Sequence, residues 1–442
     1  MTSQQSRVPR NAIRGPVLTF TGDPFKDGLE KTMVYEPDAI VAFGDGYITH
    51  FGPADKIKSQ LPDGIPIKNY GPDSLISAGF LDSHVHFPQT TMIAAFGEQL
   101  LDWLNKYTFP TERKYADKAF ASSVASMFLD QCLKNGITTS CVYCTVFPQS
   151  VDALFEEAER LGMRMAAGKV LMNRNAPDYL LDTTQTGYDD SKALIKKWHG
   201  RGRLMYAITP RFAPTSTPDQ LESAGALWKE HPDCYMQTHV SENKGEVAWV
   251  KELFPERKSY LDVYDHYHLC GPRAVFGHGI YLDDEEMQCM HRTGSAISHC
   301  PTSNFFLGSG VFNLQRAMEK NVLVGLGTDL GAGTSFSILQ TLNEAYKAAE
   351  LSNYRLDAGH AYYLATRGTA KAMYIEDKVG SIAPGMEADI VVLNLKSTPI
   401  IDYRMQFVKD INEALFIQMT LADDRAVRAT YVAGELRHSK EL

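Results

Sequence analysis

The stretch Gly79-Phe80-Leu81-Asp82-Ser83-His84-Val85-His86-Phe87-Pro88-Gln89 (GFLDSHVHFPQ) is an apolar run that ends in two histidines one residue apart. On an extended strand the side chains at i and i+2 share a face, so both imidazoles aim at one point in space. That is half of a metal site. Taken alone, the pair reads equally as two polar residues closing a strand and bonded to neighbouring backbone. The metal reading therefore requires a fold that brings further ligands to the same point.

The middle of the chain alternates short β-branched or apolar runs with stretches of helical spacing. The strand-like runs are 74–82, 136–145, 163–171, 203–210, 234–240, 273–280, 294–301 and 321–329. About eight such strands separated by helices is the number that closes a parallel (β/α)8 barrel. Helical spacing is clearest at 112–136, 150–162 and 217–230. Thr217 is placed to cap the last of these with Pro218 in its first turn, and Gly136 and Gly162 stand where helices end. Two further helices are expected near 335–350 and 357–374. The two ends read differently: 12–73 and 380–437 hold short alternating runs broken by Gly, Pro and Asp. Neither end has enough strands for a stable sheet alone. The expected architecture is α/β, a (β/α)8 TIM-like barrel at 78–379 beside a small β-sandwich built from both termini, 1–77 and 380–442.

Composition narrows the function. With 442 residues, 44% hydrophobic and 22% charged, the chain can bury a sizeable core. A formal net charge of -9 argues against nucleic acid or an anionic membrane as partner, because both are held by clustered positive charge. No apolar stretch is long enough to span a bilayer, so a cytoplasmic protein acting on a small molecule is expected. The seven cysteines are scattered through apolar segments and read as reduced thiols. Cys141 and Cys144 form a single C-x-x-C in a strand-like run, and the absence of a second pair favours a structural role.

The remaining ligands fall at strand ends. His239 closes CYMQTH, His278 closes AVFGH and Asp329 closes VLVGLGTD. In a parallel barrel these C-terminal tips converge on one rim. Imidazoles with one carboxylate suit a divalent transition metal, zinc first and iron as the alternative. Such a centre keeps net positive charge and brings the pKa of a bound water to about 7. Glu242, just past His239 in HVSEN, is placed as a proton shuttle. Read more plainly, it is an acid at a helix start.

GFLDSHVH, HVSEN, FGHG, SHCPTSN and GLGTDLGAG resemble the amidohydrolase superfamily and its mononuclear deaminase branch. The segments at 95–112 (AFGEQLLDWLNKYTFPTE) and 209–215 (TPRFAPT) are more selective and are similar to the guanine deaminases, a resemblance that runs over nearly the whole chain. It implies one zinc per chain, held by His84, His86, His239 and Asp329, with His278 beside the metal orienting the attacking water. It also implies that Glu242 protonates the purine ring and that Asp329 helps accept the water proton. Gln89, Arg211 and Phe212 would hold the base together with His239, Glu242 and Asp329. The implied reaction turns guanine into xanthine and ammonia, in a homodimer. An amide and a guanidinium can match in plane the carbonyl and ring nitrogens of guanine, and Phe212 supplies a stacking face.

Other readings differ in specific residues. A binuclear amidohydrolase uses a carboxylated lysine at a mid-barrel strand end, whereas the fourth strand here ends in Thr209-Pro210-Arg211 and only Lys169 of the third run is a candidate. The zinc deaminases marked by H-x-E and P-C-x-x-C are excluded, since no H-x-E precedes Cys141 and Ser140 stands where their proline would be. A chlorohydrolase, or another purine or pterin deaminase, would differ only in its pocket. A barrel turned scaffold would have lost its ligands first.

Overall fold

The computed structural model describes residues 7–97 and 100–440. Its centre is a parallel barrel of strands β1 (Phe80–His86), β2 (Ile137–Tyr143), β3 (Arg164–Gly168), β4 (Leu204–Pro210), β5 (Tyr235–Val240), β6 (Ala274–His278), β7 (Ala296–His299) and β8 (Leu323–Leu326). Neighbours in sequence are neighbours in the sheet from β1 to β8. The seam between β8 and β1 is closed by bonds around the first histidine. Ser83 Oγ donates to the Leu326 carbonyl at 3.0 Å, and the Asp329 N–H donates to the His84 carbonyl at 2.9 Å.

Two strand runs are divided. Residues 74–82 break at Gly79, with Ser74–Ala78 pairing in a separate sheet and Phe80 beginning β1. Residues 163–171 break at Lys169, and Val170–Leu171 continues alongside β4. The expected caps form. Thr217 accepts from the Gln220 N–H at the start of Pro218–Glu230, and Gly162 ends Pro148–Leu161 at φ 73°. The first long helix starts later than its spacing suggests, at Lys118 with Asp117 as cap, because 109–116 form short turns that carry Glu112 inward.

Strands from both ends combine as expected, and the β-sandwich anticipated there is realised as one continuous mixed sheet of eight strands. Ile390–Asn394 from the C-terminal part pairs antiparallel with Ser74–Ala78, which in turn pairs with Asn11–Phe20. Separate apolar clusters cover its two faces, one around Val17, Val41 and Val392 and one around Ile40 and Ile57. Leu18, Leu75, Val391 and Leu393 of this sheet join the main apolar cluster of the barrel, and charge adds to the junction at the barrel floor. Arg203 Nη2 lies 2.6 Å from Glu387 and 2.5 Å from Asp389, and Arg164 also bonds Glu387. The C-terminal part adds a helix outside the strand runs, Ile411–Leu421, whose Phe416 packs edge-on against Tyr346 at 5.0 Å. Among the described residues no helix is long and apolar enough to cross a membrane.

Candidate metal centre and active site

β1 delivers His84 and His86 to the C-terminal rim, both essentially buried. Asp82 anchors them from beneath. Its carboxylate accepts the His84 N–H at 3.2 Å, the Thr328 N–H at 3.0 Å and the Thr328 hydroxyl at 2.5 Å, tying β1 to the residue before Asp329. Burial pushes the Asp82 carboxyl up to about 7 despite these bonds. Gly277 makes room for the His84 ring: a Cβ there would stand 2.5 Å from the ring carbon Cε1.

Four ring nitrogens and one carboxylate converge above this base. His86 Nε2 lies 3.1 Å from His239 Nε2, and Asp329 Oδ1 lies 3.4 Å from His84 Nε2 and 3.5 Å from His86 Nε2. His278 Nε2 is 3.8 Å from the other Asp329 oxygen. Ligands at 2.0–2.1 Å from a tetrahedral ion stand about 3.3 Å from one another, so the spacing of this donor set fits a shared cation. The protonation pattern fits as well. Burial lowers the pKa of His84, and it holds His86 and His239 well below the ordinary imidazole value, which leaves the neutral form that ligates. Both ring nitrogens of His84 and Nδ1 of His86 are buried without a hydrogen-bond partner. A buried polar atom left unpaired costs about 1–3 kcal/mol, which a bound cation would relieve at the converging nitrogens.

The histidines are oriented from behind. His239 Nδ1 donates to the Arg211 carbonyl at 2.7 Å, and His278 Nδ1 donates to Asn304 Oδ1 at 2.8 Å. Each bond commits Nδ1 to carrying the proton and turns Nε2, with its lone pair, to the centre. Burial alone would lower the pKa of His278, but the carboxylates of Glu242 and Asp329 outweigh it and raise it. Burial also opposes ionisation of Asp329, yet the facing histidines, His84 first, bring its pKa down to about 2. Glu242 Oε2 lies 3.4 Å from His278 Nε2, and its Oε1 accepts from Ser309 at 3.1 Å. Burial pushes this carboxyl up to about 7. Ser241, His278 and Asp329 adopt left-handed φ values of 49°, 72° and 47°. Strain of that kind costs about 1–3 kcal/mol per residue and persists where surrounding structure fixes it.

A cavity opens above the cluster, lined by His86, Gln89, Arg211, Phe212, Glu242 and Asp329. All nine residues singled out in the sequence are therefore found at one centre, His84 beneath it and the others around the cavity. Arg211 Nη1 is held at 2.8 and 3.0 Å by the carboxylate of buried Glu112, a fixed pairing that leaves the rest of the guanidinium for the cavity. Gln89 packs against Gly331, where a Cβ would meet its Oε1 at 2.1 Å. Lys169 points elsewhere, its Nζ 2.5 Å from Asp182. Cys141 is buried and donates to Gln237 Oε1 at 3.1 Å, which makes it a packing residue.

Sequence reasoning missed Glu112, Asn304, Ser309 and Trp103. The last lines the cavity roof, and its indole N–H is buried without a partner. Trp103 belongs to DWLNKYTFPTE, a segment that drew notice in the sequence without any single residue in it being given a role. Asn304 likewise sits within SHCPTSN.

A profile of the amidohydrolase family matches residues 75–437. The chain belongs to that family. Among amidohydrolases it sides with the guanine deaminases: it is 51% identical over 432 residues to the guanine deaminase of Escherichia coli strain K12, covering 97% of this chain and 98% of that one. The solved structure of E. coli guanine deaminase superposes with a TM-score of 0.96 at 48% identity, covering 98% of this chain and 100% of that one. A guanine deaminase from C. acetobutylicum with guanine bound in its active site superposes with a TM-score of 0.86 at 29% identity, covering 96% and 99%. In this amidohydrolase the rim that carries the His and Asp cluster is thus assembled from the tips of β1, β5, β6 and β8.

Proposed function

We infer that the protein is a guanine deaminase, hydrolysing the exocyclic amine of guanine to give xanthine and ammonia. The observation that carries the reading is the full-length likeness to guanine deaminases combined with a buried His, Asp and Glu cluster opening into a cavity that holds an amide, a guanidinium and a phenyl ring. We assign His84, His86, His239 and Asp329 as the residues that would hold one divalent cation per chain, zinc by preference because three imidazoles and one carboxylate are its usual donors. When bound, the cation supplies Lewis acidity that makes water nucleophilic near neutral pH.

The chain's own groups then divide the work. Glu242, poised between its two protonation states, donates its proton to the ring nitrogen beside the carbon under attack as that ring loses aromaticity. Asp329, ionised at the outset, orients the attacking water and takes up the proton that the water gives up as its oxygen bonds to that carbon. His278, its tautomer fixed by Asn304, faces both carboxylates and orients the same water. The proton taken up by Asp329 then passes through Glu242 to the exocyclic amine, ammonia leaves as the C–N bond breaks, and the hydroxyl proton left on that carbon returns to Glu242 as the carbonyl forms. Gln89 and Arg211 meet the polar edge of the purine in plane, Phe212 covers its face, and the apolar roof excludes bulk water. A homodimer is part of the same reading, checked by light scattering.

The experiment that tests the function offers guanine, adenine, cytosine and a pterin in turn to the purified protein and follows ammonia. Guanine is expected to be preferred by orders of magnitude. A stronger preference for another ring amine would replace the substrate while leaving the chemistry.

A further inference from the structure

Away from the active site the chain carries a second cluster of reactive groups. Cys270, in the turn before β6, and Cys289, on the helix Asp284–Thr293, have their sulfurs within 4.8 Å of one another and of a carboxylate oxygen of Asp265. Arg292 Nη2 lies 3.4 Å from Cys289 Sγ and 3.5 Å from Asp265. The other five cysteines, Cys132, Cys141, Cys144, Cys234 and Cys300, are buried, whereas these two are part-exposed.

We propose that Cys270 and Cys289 form a thiol-modification site that reacts with low-molecular-weight disulfides, Cys289 attacking first and Cys270 resolving. The guanidinium of Arg292 beside Cys289 favours its thiolate, the nucleophilic form. Its sulfhydryl is also drawn toward ionisation first by the neighbouring Cys270, while Cys270 itself is held in the thiol form by that neighbour and by burial. In the first step the Cys289 thiolate attacks one sulfur of oxidised glutathione. The glutathione S–S bond breaks, a mixed disulfide forms on Cys289, and one glutathione thiolate leaves and takes up a proton. In the second step the Cys270 thiol gives its proton to solvent, with Asp265 beside it, and its sulfur attacks Cys289 Sγ. The mixed disulfide breaks, a Cys270–Cys289 bond forms, and the second glutathione leaves as thiol. Two protein thiols are oxidised and one glutathione disulfide is reduced.

The test treats the full-length, metal-loaded protein with oxidised glutathione and follows intact mass and peptide maps. The wild type is expected to lose the mass of two hydrogens, with one cross-linked peptide pair containing 270 and 289, reversed by dithiothreitol. C270S is expected to stop at a single glutathionyl adduct on Cys289, C289S to form neither product, and R292Q to slow the first step about tenfold. Thiols at 270 and 289 that stay unmodified, or react no faster than in the unfolded chain, would overturn the proposal. A second equivalent of zinc held by the wild type and lost in both C270S and C289S would overturn it too, by making Asp265, Cys270 and Cys289 a metal site.

Discussion

Glu242 Oε2 faces His278 Nε2 across 3.4 Å, and each is held from behind, Glu242 by Ser309 and His278 by Asn304. The pairing sets a carboxyl pushed up to about 7 by burial against an imidazole whose free nitrogen points at the same space. Replacement Glu242→Gln keeps the shape and the bond from Ser309 but removes the transferable proton. Turnover should fall by about 10²- to 10⁴-fold with metal content unchanged, read by ammonia release and metal analysis side by side.

Asn304 touches neither cation ligand set nor purine in this scheme and acts through His278. Asn304→Ala frees the imidazole to rotate or change tautomer, so kcat should drop about 10- to 100-fold while KM moves little. Asn304→Asp, which restores an acceptor for Nδ1–H, should recover part of the loss and shift the pH profile of kcat. An unchanged profile with a purely thermal defect would make Asn304 a packing residue.

Trp103 offers the cavity a donor without a partner. Trp103→Phe preserves an aromatic roof and deletes the N–H. If that group meets the bound purine, kcat/KM for guanine should fall about tenfold, the value of one hydrogen bond formed in a buried site. Equal kcat/KM in the two proteins would remove the contact.

Acid should attack the junction between sheet and barrel. Burial opposes ionisation of Glu387, but Arg164 and Arg203 outweigh it and hold its pKa below the ordinary 4.5. The folded state therefore binds fewer protons than the unfolded one as pH falls below that value. Stability from this group is present above pH 4.5 and is lost as pH drops through the lower, folded pKa. Glu387→Gln should cost about 3 kcal/mol at neutral pH by leaving Arg164 without a carboxylate and Arg203 with Asp389 alone, and should flatten the acid limb of a denaturation series.

Much of this was legible in the sequence because barrel geometry converts strand ends into neighbours. His84, His86, His239, His278 and Asp329 each follow an apolar run, and a parallel barrel leaves them a single rim on which to meet. Gln89, Arg211 and Phe212 came from resemblance, since nothing in their local pattern separates a substrate contact from a strand-end ion pair. Asn304 and Glu112 were illegible for a different reason. Each acts on a residue 26 or 99 positions away, and periodicity carries no information about such pairings. The division of 74–82 at Gly79 was hidden because two consecutive strands of different sheets share one unbroken apolar run.

The central claim is that one cation gathered by His84, His86, His239 and Asp329 enables water to displace the amine of guanine. The most direct measurement is ammonia release from guanine by the purified protein before and after its metal is stripped with a chelator, with metal counted in each sample. One divalent ion per chain, activity lost on stripping and activity restored by zinc are the predicted results. Full activity in protein that holds no metal would contradict the account.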